Sequence, residues 1–128
     1  MITKGLRGTN EVSVSAEDTA SAMGSGTLDV LATPRIAAWM EMTAWKSLGD
    51  ELEEGKSTVG TLLSLEHLAP TPVGAAVRCE SLLEEINGRE LTFTLSAFDN
   101  SGLIAQASHK RVIIDNERFL KKAEGRLL

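Results

Sequence analysis

Hydrophobic and polar residues alternate along most of the second half of the chain, whereas one segment of the first half is almost continuously apolar. This segment, residues 36–45, contains a single charged side chain. Thr33 and Pro34 precede it, and they suit a helix start because Thr caps free amides and Pro fits the first helical position. We therefore predict one long helix over residues 34–48, ended by Gly49.

The alternation with period two predicts strands. It is clearest at residues 89–98, where Leu91, Phe93, Leu95 and Ala97 share one face. We predict a first strand within residues 5–23, a short apolar segment at 28–31, and further strands at residues 57–69, 75–86, 89–98 and 103–114. Asn87-Gly88 is a strong signal for a two-residue hairpin turn. The tail, residues 116–128, is predicted to form a short amphipathic helix capped by Asp115.

This order of elements predicts an α+β fold in one domain spanning residues 1–128. The expected architecture is a curved antiparallel sheet wrapped around one long central helix. One helix cannot cover so long a sheet. We therefore expect two chains to pair edge to edge, which would also remove an exposed edge strand.

The composition of the 128 residues narrows the function classes. A net charge of −5 and an aromatic content of 4%, with no Tyr, argue against nucleic-acid binding. The single cysteine, Cys79, excludes an intrachain disulfide and fits a reducing compartment. No apolar stretch approaches a membrane span or the core of a secretory signal, so we expect a soluble, cytoplasmic protein without membrane contacts. The two His and one Cys lack the spacing of zinc ligands, so no metal is expected.

Glu41 is the charged residue of the apolar run. Its neighbours three and four positions away offer no partner within the helix: they are Ala37, Ala38, Ala44 and Trp45. Burial of an unpaired carboxylate is costly, so we expect compensation from another element. In the strand at residues 57–69, His67 continues the row of Thr61, Leu63 and Leu65, the kind of face that packs against the helix. We therefore predict that His67 is the partner of Glu41.

Thr33 adds a hydroxyl at the start of the helix, where free backbone amides attract negative charge. Hydroxyl, carboxylate and imidazole together are the groups that acyl transfer uses. Each residue also has a purely structural interpretation. Thr33 is a good N-cap, Glu41 can reach solvent or a Lys, and His67 can be a satisfied core residue. Gly60, in the same strand as His67, can simply mark a bulge.

The spacing of these residues resembles that of the hotdog-fold acyl-CoA thioesterases, in particular the branch that contains the fluoroacetyl-CoA thioesterase. The similarity rests on Ala32-Thr33-Pro34 at the helix start, on Glu41 eight residues after Thr33, and on Val-Gly-Thr at residues 59–61. It also rests on Glu-His-Leu-Ala-Pro-Thr-Pro-Val-Gly at residues 66–74. The resemblance extends from residue 5 to about residue 114.

The resemblance implies a hotdog fold, a homodimer with acyl sites at the subunit interface, and hydrolysis of an acyl-CoA to a free acid and CoA. Pairing of dimers into a tetramer is left open. By the same resemblance Thr33, Glu41 and His67 form the catalytic set, and the Gly60 amide donates to the thioester oxygen. No cofactor is expected, because CoA is part of the substrate. Thr33 either attacks the thioester itself or orients a water that Glu41 and His67 activate.

The CoA phosphates would need basic residues at the site entrance. The candidates are Arg111, which matches a basic position in relatives, and Arg78, with Arg35 and the neighbouring His109-Lys110 as further ones. We expect a short or modest acyl group. Residues 23–28, just before the helix, are small and flexible and lack a bulky aromatic gate, so selectivity for fluoroacetyl is not expected to carry over.

Two other functions are compatible with such a fold. A non-catalytic acyl-CoA-binding sensor or carrier would keep the pocket but has no need of a Thr, Glu and His set. A hydratase of the same fold also uses a carboxylate and a His, but from a motif that is missing here. Release of free thiol from acyl-CoA separates the hydrolase from both.

Overall fold

The computed structural model describes residues 1–127. Its strands, all antiparallel to their neighbours, are β1 (Arg7–Ser13), β2 (Lys56–His67), β3 (Ala76–Asn87), β4 (Glu90–Asp99) and β5 (Gly102–Asp115). Its helices are α1 (Ala20–Met23), α2 (Thr33–Ser47) and α3 (Asn116–Glu124), with a 3-10 turn at Ala16–Asp18. The sheet order is β1-β3-β4-β5-β2, so β1 and β2 are its edges.

The core forms where α2 packs on one face of the sheet. Along α2 the buried positions are spaced three and four apart, and they are Ile36, Trp39, Met40, Thr43 and Ala44. Opposite them, every second residue of β4 is buried, as its alternation predicts, namely Leu91, Phe93, Leu95 and Ala97. Each large apolar side chain removed from water stabilises the fold by about 1.5–3 kcal/mol. The predicted α+β architecture around a long helix is confirmed.

The start of α2 differs from the prediction by one residue. Ala32 is the N-cap, Thr33 is the first helical residue, and no side chain caps the helix. The predicted capping role of Thr33 is therefore wrong, and its hydroxyl is used elsewhere. At the other end Gly49 follows the helix with φ +52°, a backbone conformation that favours glycine, as expected of a helix stop.

The first strand is much shorter than the predicted segment of residues 5–23, since β1 ends at Ser13. Beyond it, the Ser15 backbone N–H donates to the Asp18 carboxylate at 2.8 Å, and the Ser15 hydroxyl donates to the same oxygen at 2.9 Å. Thr19 then caps α1 by accepting from the Ala22 amide. These short polar side chains satisfy the backbone locally and favour turns over strand pairing.

The hairpin between β3 and β4 is also shifted by one residue. Asn87 pairs with Glu90, so the two turn residues are Gly88 and Arg89 rather than Asn87 and Gly88. Gly88 has φ +63°, and no residue other than glycine has positive φ within residues 1–127. A turn with positive φ only at its first position needs Gly there, which explains the shift.

A bulge divides β2. Gly60 pairs with Arg111 and Leu62 pairs with Lys110, which leaves Thr61 as an extra residue. An extra residue reverses the alternation of faces, so Thr61 is exposed while Leu63 lies on the inner face. The prediction that Thr61 shares a face with Leu63 and His67 is wrong for this reason. Leu63, Leu65 and His67 do share the inner face, as predicted.

At the tail, Asp115 accepts from the Arg118 amide at 3.1 Å and caps α3, as predicted. The predicted end of this helix at residue 128 lies outside the described residues. Apolar side chains stay exposed near the β2 edge, with Trp45 at 48% and Leu62 at 46%. Among residues 1–127, no helix is both long and apolar enough to cross a membrane.

Cys79 is fully buried, and burial raises the pKa of its thiol to about 11, with the Thr43 hydroxyl opposing the shift. We predict that a thiol dye at pH 8 modifies Cys79 only after unfolding, because the thiolate is the reactive form. Time courses of dye reaction with and without denaturant check this. Rapid stoichiometric labelling of the folded protein would contradict it.

Candidate active site

The segment before α2 is tied to the loop after β2, and this brings Thr33 close to His67. The Leu31 amide donates to the Thr71 carbonyl at 2.9 Å. Thr71 is fully buried and its hydroxyl donates to the Asp99 carboxylate at 2.9 Å. The loop is thus anchored to the β4–β5 turn, and the helix start is anchored to the loop.

Thr33 and His67 form a direct hydrogen bond, with 2.8 Å between Oγ1 of Thr33 and Nδ1 of His67. Thr33 is exposed and His67 is half-buried. The second ring nitrogen of His67, Nε2, is buried and has no hydrogen-bond partner among residues 1–127. A hydroxyl bonded to an imidazole at a helix start is an arrangement in which the imidazole can take up the hydroxyl proton.

Glu41 does not join this pair within one chain. It lies eight positions after Thr33 on α2, a rise of about 12 Å along the helix axis. The cation next to it is Arg111, with Nη1 at 3.5 Å from Oε2 of Glu41. The prediction that His67 is the intrachain partner of Glu41 is therefore wrong. The underlying expectation, that another element compensates this carboxylate, is confirmed.

Gly60 makes room for the Glu41 carboxylate. A Cβ at this position would lie 2.6 Å from Oε2 of Glu41 and 3.3 Å from the His109 ring. Any side chain there would push the carboxylate away from the strand. Whether the Gly60 amide acts as a donor to substrate stays a prediction.

Arg111, predicted to contact CoA, is held by neighbouring groups in the described chain, and its contact with CoA stays a prediction. It is only 6% exposed. Its Nε donates to the Thr58 hydroxyl at 2.8 Å and its Nη2 donates to the Thr58 carbonyl at 3.0 Å. Burial lowers the pKa of the guanidinium and Glu41 opposes that shift, so the group still favours its charged form.

His109 completes this cluster, and its part was not foreseen from the sequence. It is fully buried on the inner face of β5, where Nε2 lies 3.2 Å from Nη1 of Arg111. Nδ1 lies 2.8 Å from the Leu62 carbonyl. The available signal was the alternation in β5, which places His109 and Arg111 on the same face as the buried Ala105 and Ala107.

The other basic candidates for CoA phosphates are also engaged. Arg78 lies on the outer face of β3, where its Nε donates to Glu80 at 2.9 Å and its guanidinium lies 4.9 Å from the Phe98 ring centroid. Arg35 pairs with Asp18 at 2.9 Å, a contact that ties α2 to the 3-10 turn. Arg78 and Arg35 thus each already have an acidic partner.

Two open clefts border these groups. One, of about 530 Å³, reaches Arg111 and Thr58 from the end of α2 and is also lined by Trp45 and Leu52. The other, of about 210 Å³, lies beside His67 and is lined by Val30 and residues 68–70. Within residues 1–127, no three His, Cys, Asp or Glu side chains are grouped so that they could hold a metal ion.

The sequence and the fold both match known proteins. Residues 14–117 match the family model of the fluoroacetyl-CoA-specific thioesterases. The fluoroacetyl-CoA thioesterase of Streptantibioticus cattleyicolor is 32% identical over 94 residues, which cover 73% of this chain and 68% of that protein. A solved structure of a fluoroacetyl-CoA thioesterase matches with a TM-score of 0.95 at 26% identity, covering 100% of this chain and 99% of the other.

A hot-dog-like protein from Thermanaerovibrio acidaminovorans matches with a TM-score of 0.90 at 22% identity, covering 99% of this chain and 94% of the other, and supports the fold alone. Together with the antiparallel sheet around α2, these matches define the class as a hotdog-fold thioester hydrolase. The chain belongs to the family of fluoroacetyl-CoA-specific thioesterases. The fold and family implied by the sequence motifs are thus confirmed.

Replacing Gly60 with Ala should displace the Glu41 carboxylate, because the new methyl group would lie 2.6 Å from Oε2. The far end of a Glu side chain is flexible, so we expect a loss of stability below about 1 kcal/mol. We expect a fall of about tenfold in thioester turnover, since the carboxylate leaves its position. Thermal unfolding and thiol-release kinetics measure the two effects. Gly125→Ala, where a Cβ meets only ordinary contacts, is the control; unchanged turnover in Gly60→Ala would contradict the prediction.

Proposed function

We propose that this protein is an acyl-CoA thioesterase that hydrolyses a short or modest acyl thioester to a free acid and CoA. The observation that carries the proposal is the 2.8 Å hydrogen bond between Thr33 and His67 at the start of α2, in a chain of a thioesterase family. The free thiol of Cys79 fits a reducing compartment, so we place the enzyme in the cytoplasm.

Two chemical routes start from this pair. In the first, the Thr33 oxygen attacks the thioester carbonyl while His67 accepts the hydroxyl proton; CoA leaves as a thiol and water then cleaves the acyl-threonine ester. In the second, Glu41 and His67 take a proton from a water that attacks the carbonyl, Thr33 only orients that water, and CoA again leaves as a thiol. The first route forms a covalent intermediate on Thr33 and the second does not.

We further propose that the site is completed in a homodimer. The outer side of β2 is an unpaired sheet edge within the described chain, and exposed Leu62 and Leu68 border it. Antiparallel pairing of two such edges brings the Gly60 end of one β2 towards the His67 end of the other. The partner's Glu41, held above its own Gly60, then approaches Thr33 and His67, which one chain alone cannot arrange.

In this arrangement, Glu41 and His67 share the handling of the proton and a backbone amide stabilises the oxyanion. We assign that amide to Gly60, because this residue lies so close to the Glu41 carboxylate that a Cβ on it would meet Oε2. One oriented donor of this kind is worth about 3–4 kcal/mol in the transition state. No separate cofactor is proposed for the reaction, because CoA is part of the substrate.

The segment before α2 offers no basis for fluoroacetyl selectivity. Residues 23–28 are exposed, and Gly24, with φ +74°, ends α1. No aromatic side chain lies in this segment to close over a small acyl group. We therefore expect several short acyl groups to be accepted at similar rates.

The proposal is tested by thiol release from a panel of acyl-CoAs, from acetyl to octanoyl, with a thiol dye. Hydrolysis of short members supports it. Binding of acyl-CoA without thiol release would instead indicate a sensor or carrier. Loss of enoyl-CoA absorbance without thiol release would indicate a hydratase.

Glu41→Gln and His67→Ala should each lower kcat at least about a hundredfold, the usual scale for removing acid–base help. Both variants should keep the fold, which circular dichroism checks. Glu66→Gln is the matched control, since Glu66 precedes His67 on the outer face of β2 and should stay within about twofold of wild type. Near-normal rates in either site variant would remove that residue from the mechanism.

Thr33→Ser and Thr33→Ala separate a chemical role of the hydroxyl from a structural one. Because Thr33 does not cap α2, neither change should alter stability by more than about 1 kcal/mol. We expect the Ser variant to retain more activity than the Ala variant, and mass spectrometry to detect an acyl adduct on Thr33 if it is the nucleophile. Equal rates in the two variants would contradict a role for the hydroxyl.

A further inference from the structure

Arg111 and His109 are buried side by side, and with the half-buried Thr58 they form a cluster that takes no part in the chemistry described above. It is the only set of buried charged or titratable groups near Glu41 within residues 1–127. Arg111 is 6% exposed, and its guanidinium is already bonded to Thr58 and His109. The hydrogen bonds that join these three residues and Leu62 indicate a positioning role.

The protonation state of His109 follows from its two neighbours. The Leu62 carbonyl can only accept, so Nδ1 of His109 carries a hydrogen and donates at 2.8 Å. A guanidinium can only donate, so Nη1 of Arg111 donates to a bare Nε2 at 3.2 Å. The two contacts together require a neutral imidazole with its hydrogen on Nδ1.

The charges and packing around His109 agree with this state. Burial lowers the pKa of His109; the hydrogen bond to Leu62 opposes the shift, Arg111 adds to it, and Glu41 opposes it. The charged groups that face the ring are Arg111 from its own strand and Glu41 from α2. β4 presents only Phe93, whose ring centroid lies 6.1 Å away, and β2 presents the Leu62 carbonyl.

We propose that His109 is a positioning residue for hydrolysis: as a neutral acceptor it fixes the Arg111 guanidinium that holds the Glu41 carboxylate above Gly60. Thr58 holds Nε and Nη2 of Arg111, and His109 holds Nη1, the nitrogen that lies 3.5 Å from Glu41. Without an acceptor at His109, the planar guanidinium is held by Thr58 alone and the buried Nη1 loses its partner, so Arg111 and the carboxylate beside it are less firmly positioned. A charged imidazole would have the same effect, because it would point an N–H at a guanidinium.

The inference rests on the proposed function, in which Glu41 takes part in hydrolysis. His109→Phe keeps a buried ring but removes both the donor and the acceptor. His109→Gln stays neutral and restores one of each. We expect kcat of the Phe variant to fall at least about tenfold with KM within about threefold, and kcat of the Gln variant to stay within about threefold of wild type.

Ser108→Ala is the control, since Ser108 is the neighbouring exposed residue of β5 and should stay within about twofold of wild type. A normal kcat in the Phe variant, or equal losses in the Phe and Gln variants, would overturn the proposal. A change confined to KM would overturn it as well, because positioning of Glu41 acts on the chemical step.

Nitrogen-15 NMR of the wild-type protein tests the network even if the Phe variant fails to fold. At pH 6 we expect neutral His109 with hydrogen on Nδ1 and a slowly exchanging Arg111 Nε–H. An imidazolium, or hydrogen on Nε2, would overturn the proposal. If the wild type hydrolyses no acyl-CoA, the proposed function fails by itself, and the NMR result still decides whether the network exists.

Discussion

The Glu41 carboxylate projects from an otherwise apolar helix towards the sheet, where the buried Arg111 is its ion-pair partner at 3.5 Å while 39% of the Glu41 side chain stays exposed. Much of the local structure follows from this contact. Gly60 must lack a side chain so that the carboxylate fits above β2, and Thr58 and His109 must hold the guanidinium. The bulge at Thr61 lets Gly60 and Leu63 both lie on the inner face, opposite Arg111 and His109.

Within one chain the candidate site has two parts, one around Glu41 and one around Thr33 and His67. Glu41 is anchored about two turns along α2 from its start, whereas Thr33 and His67 meet at the start itself. The Thr33 and His67 pair lacks a carboxylate, and the hydroxyl and imidazole near Glu41, those of Thr58 and His109, are both bonded to Arg111. Because β2 is a sheet edge, two chains can bring the parts together by pairing their edges. The proposed dimer would serve the chemistry and would also cover exposed apolar surface.

The sequence predicted the elements well wherever the signal was local. The β4 alternation, the Gly49 stop and the Asp115 cap depend on neighbouring residues, and all three are present. The errors arose where a longer-range contact or a single extra residue decided the outcome. The bulge at Thr61 reversed one face of β2, and the capping box of Ser15 and Asp18 ended β1 early.

The site was foreseen only in part for the same reason. The Thr33 and His67 pair follows from motif spacing, but the partner of Glu41 lies on β5, more than 60 residues away in the sequence. Arg111 was assigned to CoA from a basic position in relatives; its burial beside Glu41 could not be predicted from its charge. The alternation in β5 did contain a signal for this burial, since His109 and Arg111 share the inner face and alternate with outward-facing residues.

The central claim is that Glu41 of one chain serves Thr33 and His67 of the other, and a mixed dimer tests it most directly. Glu41→Gln and His67→Ala proteins are each inactive in this account, but their heterodimer contains one site in which both residues are intact. After mixing and refolding, random pairing makes about half of the dimers heterodimers, and one of the two sites in each is intact. The mixture should therefore regain about a quarter of wild-type activity. A mixture that forms heterodimers, shown by native mass spectrometry, yet stays as inactive as its components would contradict the account.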